Sequence, residues 1–178
     1  MVNISLLADL YRHMEWADAM VWKAVFASEG APADKGVRDY LYHLHLVQRA
    51  FLRLWRGENV EAPFPTFDDA PSLMAWARSY HAEGLPHLQG LEDQKLSEKM
   101  PQPWADFIEK QIGQPPHAIS LGETALQVAL HSTYHRGQVN ARLRAVGGNP
   151  PSVDYIVWLW LDRPAPAWPS SESKQSSA

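Results

Sequence analysis

Cysteine is missing from all 178 positions, which excludes disulfides, thiolate metal ligands and a cysteine nucleophile. Histidine nitrogen and carboxylate oxygen remain as metal donors. Long apolar runs are also missing, and no cleavable signal is visible: Met1-Val2-Asn3-Ile4-Ser5 runs straight into an amphipathic pattern broken by Asp9 and Arg12. A cytoplasmic protein with no membrane partner is the expectation. Positive charge is in the minority, 16 Lys and Arg against 20 Asp and Glu for a net charge of −4, and no dense basic stripe interrupts that balance. The electrostatic footprint of a nucleic-acid binder is therefore absent. With 46% hydrophobic residues the chain is long enough for one sizeable core and too short to expect two.

The apolar period is helical nearly throughout. Ile4, Leu7, Leu10, Tyr11, Met14, Ala17, Val21, Ala24 and Val25 predict a first helix that ends before Gly30-Ala31-Pro32. Val37, Leu41, Leu44, Val47, Phe51 and Leu54 predict a second, from near Asp34 to Gly57. The Pro-rich stretch 62–67 cannot continue a helix and reads as an extended crossing to a third, which starts near Ala70 or Pro71. Gly84 and Pro86 weaken that third helix and predict a kink or break. Residues 97–120, with five prolines and glycines, read as a long connection holding a short strand pair or a helical turn. A fourth helix runs from Leu121 past Val146 to the stop Gly147-Gly148-Asn149-Pro150, and 152–160 predicts a short final helix. The expected architecture is an all-α four-helix bundle over residues 1–162 with long crossing connections, followed by a disordered Pro- and Ser-rich tail, 163–178.

His131 and His135 are four residues apart in the middle of the fourth helix. That spacing separates two imidazoles by about 40° around the axis and about 6 Å along it, so both can converge on one ion. Ser132 stands where a zinc protease would have its glutamate, which removes that chemistry. In a bundle a third ligand comes from a facing helix. His43 and His45 on the second helix are the candidates, and about 200° of rotation separates them, so only one can take part. His43 shares a face with Val47, Ala50, Phe51 and Leu54, and His45 one with Leu41, Gln48 and Leu52; periodicity leaves both open. His81, His87 and His117 read as surface or loop residues. Trp16, Trp22, Trp55 and Trp76 read as packing, whereas Trp104, in the long connection, can line a pocket mouth.

Three segments taken together carry a family resemblance. Tyr11-Arg12-His13-Met14-Glu15-Trp16-Ala17, then Leu41-Tyr42-His43-Leu44 with Leu54-Trp55-Arg56-Gly57, then His131-Ser132-Thr133-Tyr134-His135-Arg136-Gly137-Gln138 resemble the successive signatures of the DinB/YfiT-like metalloprotein superfamily. Pro150-Pro151-Ser152-Val153-Asp154-Tyr155-Ile156 is similar to its closing motif. The resemblance runs from about residue 4 to 161. It implies a bundle holding a divalent metal, zinc or nickel, on three histidines, and places them at His43, His131 and His135. Gln48 departs from the acidic residue that many relatives carry five positions after the ligand histidine. Arg136 and Gln138 match the motif, with salt-bridge and capping roles as the plain alternative to a substrate role.

Three neutral imidazoles leave an ion with its double charge and at least one open position, which suits a thiolate or hydroxide. By resemblance the expected activity is a metal-dependent low-molecular-weight thiol chemistry of the thiol-transferase type, with a small-molecule thiol and an electrophile as partners and a homodimer as the assembly. The competing expectation is a non-catalytic, stress-responsive dimeric module in which the metal serves the fold.

Overall fold

Each long helix starts at a side chain that accepts a hydrogen bond from an otherwise unpartnered backbone N–H. Asn3 accepts from Leu6 at the start of α1 (Ile4–Ala27), Asp34 from Val37 at α2 (Lys35–Trp55), and Asp69 from Ser72 at α3 (Ala70–Gln89). After a short α4 (Ala105–Ile112), Ser120 and Glu123 form a capping box that opens α5 (Leu121–Ala145), and α6 (Tyr155–Trp160) completes the order. These elements come from a computed structural model that describes residues 2–170, among which there is no β-strand. Helices α1 and α2 each pack against both α3 and α5, so the four long helices form a ring in the order α1, α3, α2, α5. Sequence neighbours α1 and α2 therefore lie across the bundle, which is why the connections must cross.

Helix α3 runs unbroken through Pro86, which excludes the break that was one of the two expectations there. Gly84 has a packing reason to be there: a Cβ would come within 2.8 Å of the Tyr80 ring. The long connection contains the helical segment foreseen for it and, where a strand pair was the alternative, only a single bridge. Lys99 and Ser120 form an isolated antiparallel bridge, and α4 lies between them. The expectation of a disordered tail from residue 163 is corrected for 163–170. There the Trp158 indole donates to the Pro164 carbonyl, the Trp168 indole donates to Glu15, and the Trp168 ring lies against His81. Trp168 within the Pro-rich stretch, and Trp158 of α6 beside it, supply the contacts that ordering it requires. Residues 171–178, also assigned to that tail, lie outside the described residues.

The core is split along the bundle axis. One apolar cluster gathers Leu7, Tyr11, Met14, Leu52, Trp55, Leu88 and Val128, and another gathers Trp22, Val25, Val37, Leu41, Leu73, Val139 and Leu143. Between them every long helix contributes a buried polar side chain. Asp18 of α1 accepts from Arg136 of α5 at 2.8 Å through one oxygen, and from Gln48 of α2 and His81 of α3 at 3.0 and 3.1 Å through the other. The Gln48 amide also donates to Ser132 Oγ, and its oxygen accepts from His45 Nδ1 at 2.9 Å. His45 Nε2 in turn accepts from the Trp22 indole, which fixes the ring as a neutral tautomer. Burial alone would raise the Asp18 carboxyl, but Arg136, the His81 hydrogen bond and the neighbouring histidines hold it far below the usual range, so it is ionised.

Loss of one charge from this layer strands the other. Arg136→Met should lower the unfolding free energy by about 3–5 kcal/mol, read by urea denaturation, whereas adding Asp18→Leu to it should recover much of that loss. A single variant as stable as the parent contradicts the assignment.

Acid should weaken the layer as well. Burial pushes His45 down to about 4 from 6.5. Between those values the unfolded chain takes up a proton that the folded chain refuses, so this contribution is complete above about pH 6.5 and is lost as pH falls toward 4. Metal-free protein should lose up to about 3 kcal/mol across that window. Urea titrations at several pH values should show a shallower dependence for His45→Gln, and an equal slope contradicts the prediction.

Candidate metal centre

Two helix edges meet at this site. On α5 the buried stripe runs through Val128, Ser132, Arg136, Val139 and Leu143. His131 and His135 each precede a stripe residue by one position, about 100° around the axis, and so stand at its border. On α2 the buried stripe includes Leu41, Leu44, His45, Gln48 and Leu52, and His43 stands beside it, exposed. Packing of α2 on α5 closes these borders together. One nitrogen from each of His43, His131 and His135 lies within 4.8 Å of the other two. The ring centroids are 5.4 Å apart for His43 and His131, 4.4 Å for His43 and His135, and 4.2 Å for His131 and His135.

The electrostatics suit a cation. Burial, with His135 and His43 adding to it, pushes His131 down to about 4, and burial with His135 lowers His43. Both rings are thus neutral near pH 7, with lone pairs free to bind. His131 Nε2 is buried and has no hydrogen-bond partner, a costly state that a bound ion would relieve. Gln138 fixes the third ring: its amide oxygen lies 2.6 Å from His135 Nδ1 and accepts that proton, which leaves Nε2 as the free donor. The Gln138 amide nitrogen reaches the Tyr134 hydroxyl at 3.3 Å. An orphaned nitrogen, neutral rings and a fixed tautomer fit a divalent ion held by His43, His131 and His135.

The other residues singled out from the sequence find separate places. His45 is fully buried in the polar layer, away from the histidine group. The hydrogen bonds of the Gln48 side chain all lie in that layer, and a carboxylate there would face Asp18, which gives a reason for an amide at this position. Arg136 has the salt-bridge role, whereas Gln138 caps nothing and orients a ligand ring. His13 bonds to the Val153 carbonyl and packs on Tyr155 and Trp158. His81 is buried against Asp18 and His87 is half-buried, stacked on Trp55, so the surface reading fails for both. Helical spacing was their missed signal, since each sits on the buried face of α3. His117 is exposed in the connection. Asp18 was not singled out, although a lone acid inside Trp16-Ala17-Asp18-Ala19-Met20-Val21-Trp22 marks a buried charge needing a partner.

Beside the histidines lies a cavity of about 690 Å³, with His43 and His131 in its wall and Trp104 across from Phe51 at a ring separation of 5.4 Å. The expected place of Trp104 at a pocket is thus met. The model of the DinB family matches residues 1–169. No curated protein matches the sequence.

Replacing His43, His131 or His135 with alanine should abolish stoichiometric binding of a divalent ion, measured by elemental analysis after dialysis, while His45→Gln should retain it. Full occupancy in His43→Ala would reassign the ligand on α2.

Proposed function

The chain belongs to the DinB family, and on that basis we propose that it is a metal-dependent enzyme of low-molecular-weight thiol chemistry, of the thiol-transferase type, using zinc or nickel. The observation that carries this reading is the open three-histidine group beside a large cavity: among the described residues no fourth His, Asp or Glu joins the group. A structural site would be expected to close with a fourth ligand, whereas a catalytic one keeps a position free. When bound there, a divalent ion supplies a local positive charge that favours the ionised form of a thiol or water.

The chain's own residues supply position and exclusion of water. His131 and His135 present neutral nitrogens from one helix, His43 closes the set from another, and Gln138 prevents rotation of the His135 ring. The apolar wall made by Val47, Phe51 and Trp104 keeps competing water from an electrophile held beside the group. In the net reaction the thiol sulfur bonds to an electrophilic carbon, the bond from that carbon to an epoxide oxygen or a halide breaks, and the thiol proton leaves with the product oxygen or into solvent. On this reading the protein works in the cytoplasm, where such thiols reside. No helix among the described residues is long and apolar enough to cross a membrane. A homodimer would cover Leu130 and Tyr134, apolar side chains exposed one turn apart on α5. The net charge of −4 without a dense basic stripe supports a small molecule over nucleic acid as the partner.

Cobalt-loaded protein should change its visible spectrum when the right bacterial thiol is added, because sulfur ligation alters the metal's electronic transitions. The same thiol should support metal-dependent consumption of an epoxide or activated aryl halide, lost with a chelator. A cobalt spectrum indifferent to every thiol, with no turnover, would favour the non-catalytic module.

A further inference from the structure

The cavity is built for something uncharged. No Lys, Arg, Asp or Glu lines it. Val47, Ala50 and Phe51 of α2 form one wall, and Trp104, Phe107 and Ile108, at and within α4, form another. Its volume of about 690 Å³ falls in the range that holds a drug-sized molecule, about 300–1,000 Å³. Away from the histidines, a charged group inside it would lose its water with no counter-charge in return. The walls are rich in rings: Phe51 and Trp104 are tilted at 58° with centroids 5.4 Å apart, within the separation aromatic pairs favour, and Phe64 and Phe107 add two more.

Helix α4 supplies the second observation. It carries no buried residue, and Phe107 stays 59% exposed even though it lines the cavity. The apolar face of α4 is thus turned to the cavity without being covered by protein. Gln102 Nε2 donates to the His117 carbonyl at 2.8 Å and ties the two arms of the connection on either side of α4. The wall is therefore braced in place, not left as a loose loop.

We propose that this chamber is the electrophile site, and that it selects an uncharged, ring-bearing small molecule whose reactive carbon faces His43 and His131. The proposal rests on the thiol-chemistry reading and adds the substrate class to it. The thiol, which is polar in its low-molecular-weight bacterial forms, approaches from the solvent side of the exposed His43. The bound ring covers Phe107 and fills the space between Phe51 and Trp104.

The test uses the full chain and a neutral fluorescent probe, N-phenyl-1-naphthylamine, titrated into both metal-free and zinc-loaded protein. Saturable binding with enhanced emission is expected in both forms. Phe107→Asp, at an exposed position, and Ala50→Trp, which fills the chamber, should each weaken the probe at least tenfold. In the metal-free protein, where no ion offers a counter-charge, the anionic 8-anilino-1-naphthalenesulfonate should bind at least tenfold more weakly than the neutral probe. Zinc stoichiometry, measured alongside, reports the histidine group separately. Probe binding without zinc binding would sustain the chamber and sink the metal reading, whereas zinc binding without probe binding would do the reverse. Equal affinity for the sulfonate, or probe affinity unchanged in both variants, overturns the proposal.

Discussion

The ion pair between Asp18 and Arg136 is the constraint on which the arrangement depends. Both side chains are at least 97% buried, and the carboxylate is met by groups from all three other long helices. Two ions taken out of water are tolerated only when geometry and further hydrogen bonds satisfy them, and here Gln48 and His81 do so. Few rotations of α2 and α5 meet that condition. Apolar clusters above and below could tolerate a small slide of one helix on another, but a buried hydrogen-bonded layer cannot. The same rotations that point Arg136 and Gln48 inward carry His135 and His43 to the facing borders of their helices. Convergence of the three histidines is thus a by-product of satisfying a buried charge.

The segment His131 to Gln138 divides into two functions by helical angle. Ser132 and Arg136 face the core and serve the polar layer, and His131 and His135, one step behind each, belong to the three-histidine group. Gln138 lies three residues past His135, which puts its amide on the back of the ligand ring. Gly137 has open space where a Cβ would project, so packing gives no reason for it.

The helices and their order were legible because apolar periodicity and the stop signals at Gly30, Gly57 and Gly147 are local properties. The pair His131 and His135 was legible for the same reason. His43 over His45 was barely legible, since both faces of α2 carry apolar residues; periodicity hardly separated them, the resemblance favoured His43, and the structure brings His43 to the pair. A helix border cannot be told from a helix centre until the partner helix is placed. The polar layer escaped notice because its members are scattered from residue 18 to 136, joined only by tertiary packing. The order of 163–170 was missed because Pro-rich composition outweighed Trp168, whose docking surface comes from α1 and α3.

The proposed centre is one ion on three imidazoles with room for a further donor. X-ray absorption of the zinc-loaded protein tests this most directly, through the number and kind of atoms around the metal. The account predicts three imidazole nitrogens at about 2.0–2.1 Å with a light oxygen donor, and a sulfur at about 2.3 Å replacing it when the thiol is added. A shell with four protein ligands that does not change with thiol, or one with fewer than three imidazoles, would contradict it.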